Sequence, residues 1–205
     1  MPETYESCIV FMLGYPGMGK RTVGSRLADE LGGVLVDSQL LFYPVVSLWR
    51  WDGKTWMPPE IWDRVALIRD VILQTIEDLA PTTNNYVFTN VLKDEPDGAA
   101  SFEQIRSLAQ RRGSLFLAVM LTCDIDVQVS RIDNADRITL RKGSDPDGYR
   151  WHRENTVLFQ PPQDETFTID TTATPPEQNA EKIHLELIKR GFRPHRTSRG
   201  AANSG

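Results

Sequence analysis

The stretch Ser7-Cys8-Ile9-Val10-Phe11-Met12-Leu13, followed by Gly14-Tyr15-Pro16-Gly17-Met18-Gly19-Lys20-Arg21-Thr22, decides the fold. Its first part is an unbroken run of apolar, partly β-branched residues, the pattern of a strand covered on both faces and hence of a parallel sheet. After it, Val23, Leu27 and Leu31 recur at helical spacing and Gly32-Gly33 supplies a left-handed stop. The intervening glycines permit backbone angles that turn successive N–H groups inward, forming an anion nest at a helix N-terminus, and Lys20 adds a point charge. Strand, glycine loop and helix together read as a loop for nucleotide phosphate, with Gly14, Gly17, Met18, Gly19, Lys20, Arg21 and Thr22 as its binding residues. Arg21 stands where a Ser or Thr usually ligates magnesium, and the hydroxyl comes one residue later at Thr22. Two readings of Arg21 stand, a solvated helix residue or an extra phosphate contact, and the solvated one is preferred.

Outward from this unit the alternation continues. Val34-Leu35-Val36 is a second strand closing at Asp37, and Ile61, Val65, Ile68, Ile72, Ile76 and Leu79 mark a long amphipathic helix. Between them, residues 39–60 hold Trp49, Trp51, Trp56 and Pro58-Pro59 and read as a short helix plus loop, an acceptor-side insert. Tyr86-Val87-Phe88 forms a third strand, 101–112 a helix and 115–122 a fourth strand. The Arg- and Asp-rich segment 124–153 reads as a helix leading into a mobile lid. Phe167 to Asp170 is a fifth strand, and Thr174-Pro175-Pro176-Glu177 reads as a capping box opening a helix to about Arg190. The pattern predicts a three-layer, doubly wound α/β domain over residues 1–192 with a mainly parallel five-stranded sheet, and a disordered basic tail over 193–205.

Composition narrows the function. Against 23 Lys plus Arg stand 28 Asp plus Glu, a net charge of -5, which argues against coating nucleic acid. The 2 cysteines, Cys8 and Cys123, lie in apolar runs and suit reduced core thiols. The N-terminus is acidic and the apolar run after it too short for a signal peptide or membrane span, so a cytoplasmic protein with no membrane partner is expected.

Several side chains fall at the carboxyl ends of strands, where α/β sheets bind ligands. Asp37 either accepts a proton from an acceptor hydroxyl or caps the following helix. Thr89 and Asn90 either touch acceptor or metal-bound water, or shape a turn. Arg64 and Arg69 are five residues apart on one helix, so at most one faces the site, and Arg69 is favoured. The third strand ends in Thr89-Asn90 rather than in the Asp of motor and switch NTPases, which favours a phosphotransferase.

These motifs resemble those of small P-loop kinases. Gly14 to Thr22 is similar to the loop of adenylate kinases, which implies magnesium held by phosphates and water with no protein ligand. Val36-Asp37-Ser38 resembles an element of chloramphenicol phosphotransferase, which implies Asp37 as the base. An arginine on the long helix resembles the one by which shikimate kinase grips an anionic acceptor, implying Arg69. Arg131, Arg137, Arg141 and Lys142 resemble lid cations, which implies that Arg131 and Arg137 stabilise the transferring phosphoryl. Ile169 to Glu177 resembles a passage of gluconate-type kinases, placing Thr172 and Pro175 beside adenine. The resemblance implies transfer of the γ-phosphoryl of ATP, with Mg²⁺, to a hydroxyl of a small-molecule acceptor. The alternatives are a nucleoside or nucleotide kinase, or a non-catalytic nucleotide-binding regulator.

Overall fold

Every residue of β1 (Cys8–Leu13) is buried, as its unbroken apolar run predicts. It lies at the centre of a five-stranded sheet, computed as part of a structural model that describes residues 4–51, 55, 57–132 and 145–193. The strand order is β2 (Val34–Val36), β3 (Tyr86–Asn90), β1, β4 (Leu115–Thr122), β5 (Thr166–Asp170), and every pairing is parallel.

The pleat of β1 divides the core in two. Cys8, Val10 and Met12 face α1 (Lys20–Leu31) and the last helix, α7 (Pro176–Lys189), meeting Val23, Leu27, Ile183 and Leu187. Ile9, Phe11 and Leu13 face α3 (Glu60–Asp78) and α4 (Pro96–Arg112), meeting Leu73, Ile76, Phe102 and Ile105. Helices therefore cover both sides of the sheet, and all five strands end at the same edge. The opposite edge is stapled by Asn85, whose Oδ1 accepts from Cys8 N–H at 2.9 Å and whose Nδ2 donates to Leu31 O at 2.9 Å. Its carbonyl accepts from Val34 N–H. Cys8 and Cys123 are buried free thiols, and burial pushes the Cys8 thiol up to about 12.

Four local features differ from the sequence reading. The region after Asp37 is a regular helix, α2 (Ser38–Leu48), despite Pro44 inside it; its apolar residues lie all round, which hides the helical period. Helix α4 begins at Pro96 rather than 101, because its first turn, Pro96-Asp97-Gly98-Ala99, carries almost no apolar signal. The capping box before α7 does not form. Pro175 is the N-cap, no side chain caps the helix, and Glu177 pairs instead with Arg26 of α1 at 2.9 Å. The chain remains folded through Arg193: Phe192 is fully buried, and Arg193 N–H donates to Tyr5 O at 2.8 Å. Residues 194–205 of the expected tail lie outside the described residues.

Segment 124–153 supplies α5 (Ile125–Ile132) and α6 (Pro146–Asn155). Residues 133–144 lie outside the described residues, and with them Arg137, Arg141 and Lys142. Among the described residues, no helix is long and apolar enough to cross a membrane.

Candidate active site

The chain leaves β1 through Gly14 (φ 150°), Gly17 (φ 85°) and Gly19 (φ 83°) and enters α1 at Lys20. These angles are costly for residues with a Cβ, so glycine is required by the path of the backbone. At Gly17 space is also short: a Cβ would meet Gln128 O and Ile132 Cδ1, each at 2.9 Å. Lys20 is buried, and its Nζ donates to Gly14 O at 2.7 Å and Tyr15 O at 2.9 Å, folding the ammonium over the loop.

Side chains from two other elements reach the outside of this loop. Gln128 of α5 is 1% exposed, and its Nε2 donates to Pro16 O at 2.7 Å. Thr171, just after β5, is 3% exposed, and its hydroxyl lies 3.0 Å from Met18 O and 3.1 Å from Thr122 O. Arg153 donates to Gln128 Oε1 and lies over the Tyr15 ring, and Tyr15 OH donates to Thr156 O. Gln128 lies outside the motifs, and Thr171 lies within the passage 169–177 but is not singled out there. A lone Gln on a short helix gives no pattern, and Thr171 differs in no visible way from Thr172 beside it.

Asp37 ends β2 and occupies the N-cap position of α2 with extended backbone, yet its side chain makes no capping bond. That role passes to Thr89: the Ser38 N–H donates to Thr89 Oγ1 at 3.1 Å, and the Thr89 hydroxyl donates to Asp37 Oδ1 at 2.7 Å. Thr89 is thus an orienting group for the carboxylate, and its hydroxyl is engaged within the protein. The other carboxylate oxygen, Oδ2, lies 3.5 Å from Arg21 Nε. This corrects the reading of Arg21 as simply solvated. Its side chain is 47% exposed, but it faces the acid at the mouth of the loop. So exposed a pair contributes little to stability, and its importance is positional.

Arg64 is exposed, whereas Arg69 lines a cavity of about 20 Å³ with Phe11, Val36, Phe88, Thr89 and Asn90. Arg69 Nη1 donates to Ser101 Oγ at 2.9 Å, while its buried Nε has no hydrogen-bond partner. Asn90 turns its amide oxygen onto the Val91 N–H at 2.8 Å. Trp51 of the insert and Trp62 of α3 both pack on Phe42, with ring centroids 5.7 and 5.4 Å from it.

Arg131 is not presented over the loop as a lid residue. It belongs to α5, and its guanidinium donates to Thr171 O at 2.8 Å and Thr172 O at 3.3 Å, because those carbonyls lie directly beside the helix. Thr172 Oγ1 accepts from Asp124 N–H at 2.9 Å, and its N–H donates to Asp170 Oδ1, which with the Thr172 side chain holds the Asp170 carboxyl below its usual range. Pro175 stands at the start of α7 on the same side. Among the described residues, no three Asp, Glu, His or Cys side chains converge on a metal site. With Arg21 in place of the usual hydroxyl, this donor set fits an ion brought in by nucleotide phosphates and water.

No protein-family model and no curated protein matches the chain. Solved structures do. A gluconokinase from Sinorhizobium meliloti 1021 superposes with a TM-score of 0.57 at 16% identity, over 92% of this chain and 99% of that one. A sugar kinase from Janibacter sp. HTCC2649 gives 0.57 at 16% identity, over 89% and 95%. The chain has the small P-loop kinase fold. A thymidylate kinase from Candida albicans shares this P-loop fold with a TM-score of 0.52 at 10% identity, over 91% of this chain and 93% of that one. Sugar and nucleotide kinases alike use the architecture, so the fold by itself assigns no activity to this chain.

Proposed function

We propose that the protein is a phosphotransferase that moves the γ-phosphoryl of ATP to a hydroxyl of a small-molecule acceptor. The observation that supports this most is the state of Asp37. Its carboxylate stands at the sheet edge beside the phosphate loop, oriented by Thr89 and relieved of the capping duty that would otherwise explain an Asp at this position. A carboxylate so placed can take the hydroxyl proton as the oxygen attacks phosphorus.

In this reading the loop amides and Lys20 hold the phosphates, with Lys20 leaving Gly14 O and Tyr15 O for the nucleotide. Magnesium, when bound, would neutralise charge on the phosphate oxygens. Arg21, 3.5 Å from Asp37 Oδ2, would then have two anions within reach, Asp37 and the terminal phosphoryl. Arg69 lines the cavity beside Thr89 and Asn90, and its buried Nε has no hydrogen-bond partner among the described residues, so it would suit an acceptor carrying a polar or anionic group. Thr172 and Pro175 would border adenine, and Arg131 would act from behind Thr171. Arg137 would meet the transferring phosphoryl.

Acceptor-dependent ADP release, screened across sugars, hydroxy acids, nucleosides and aminodiols, tests the proposal. Asp37→Asn is expected to lower transfer by roughly 10²–10⁴ while ADP binds as before. ADP binding without transfer to any acceptor would favour a non-catalytic regulator. Transfer to nucleosides or nucleotides alone would favour the nucleotide-kinase alternative.

A further inference from the structure

The anion nest depends on the direction of its peptide planes, and two of those planes are held from outside. In a trans peptide the C=O and the next N–H point in opposite directions, and no described peptide is cis. Fixing a carbonyl therefore aims the following N–H. Gln128 holds Pro16 O and so sets the Gly17 N–H; Thr171 lies on Met18 O and so sets the Gly19 N–H. These are two of the three positive-φ glycines of the loop, residues whose backbone has the most freedom to turn over.

Both anchoring groups are buried and held in turn. Arg153 bonds to Gln128 Oε1. Arg131 bonds to Thr171 O at 2.8 Å and approaches its Oγ1 at 3.4 Å, leaving the hydroxyl proton to Met18 O and Thr122 O. Thr122 O already accepts from Thr171 N–H at 2.9 Å, so loss of the hydroxyl leaves Met18 O as the carbonyl without this donor.

We infer that Gln128 and Thr171 are positioning residues for the phosphate cradle: they touch no nucleotide, but they pin the peptides whose amides bind phosphate. This rests on the reading above that the loop binds nucleotide phosphate. It also gives α5 a role that does not require its arginine to reach over the ligand.

The substitution Thr171→Val keeps the shape and removes the donor, whereas Thr171→Ser keeps the donor. Calorimetric titration with ADP, and separately with inorganic tripolyphosphate, is expected to show binding about five- to tenfold weaker in Thr171→Val, with Thr171→Ser close to the parent protein. Gln128→Met, which retains length and volume, should weaken both ligands by a similar factor. If Thr171→Val unfolds, Gln128→Met alone decides the matter. Parent protein that binds ADP while the folded variants bind it equally well overturns this inference alone, as do Val and Ser variants that weaken alike. Parent protein that binds neither ADP nor tripolyphosphate overturns the proposed function and this inference with it.

Discussion

The glycine-loop side of the molecule and the α2 side, proposed above to meet nucleotide phosphate and acceptor, are built differently. Around the loop, glycine angles, a buried lysine and two buried polar side chains leave the backbone little choice. Across the sheet edge, α2 carries a proline within it, Arg50 just beyond it has a positive φ of 56°, and Leu40, Tyr43, Leu48 and Trp49 stand exposed. The contrast teaches where the chemistry is common to many substrates and where it is particular to one. A polyphosphate is the same in every such reaction and rewards a preorganised cradle. Under the proposed transfer the acceptor differs from one enzyme to the next, and the surface that would meet it is free to vary.

Substitutions on the two sides should expose that difference in decreasing order of effect. Lys20→Met removes the buried cation, and steady-state kinetics should show kcat/KM for ATP reduced by roughly 10²–10³ with the fold retained. Gly17→Ala places a Cβ against Gln128 O at a left-handed backbone position. Chemical denaturation should show a loss of about 1–3 kcal/mol, and nucleotide binding should fall with it. Thr89→Val, at the junction of the two sides, removes one hydrogen bond from the Asp37 carboxylate and leaves Ser38 N–H without this acceptor. About 1–2 kcal/mol of stability should be lost, with transfer reduced more than ADP affinity. Leu48→Ser, at a residue 87% exposed on the acceptor side, should change stability by no more than about 0.5 kcal/mol. A large loss there would mean that this surface is buried when the protein works, and the comparison would have to be redrawn.

The same contrast explains what could be read from sequence. Continuous apolar strands and positive-φ glycines leave strong local marks, so β1, the loop, α1 and the alternation after them were legible, as was the placement of Asp37 at a strand end. What escaped depended on partners distant in the chain. Thr89 takes over the cap of α2 from 51 residues away, which no capping pattern reveals. Arg131 sits against the carbonyls of Thr171 and Thr172, about 40 residues on, where charge alone suggested a lid. Gln128 lies 112 residues from the carbonyl it holds. Helix α2 was missed for a different reason: apolar residues on every side erase the period by which a helix is recognised.

The amide of Asn85 has a mechanical consequence. The Asn85 side chain joins the start of β1 to the end of α1, and its backbone carbonyl holds the start of β2, at the edge remote from the loop. Sliding any of these segments would break several bonds at once. Displacement of the strands is therefore easier at the margin that carries the loop, while the far margin acts as the fixed spine of the sheet.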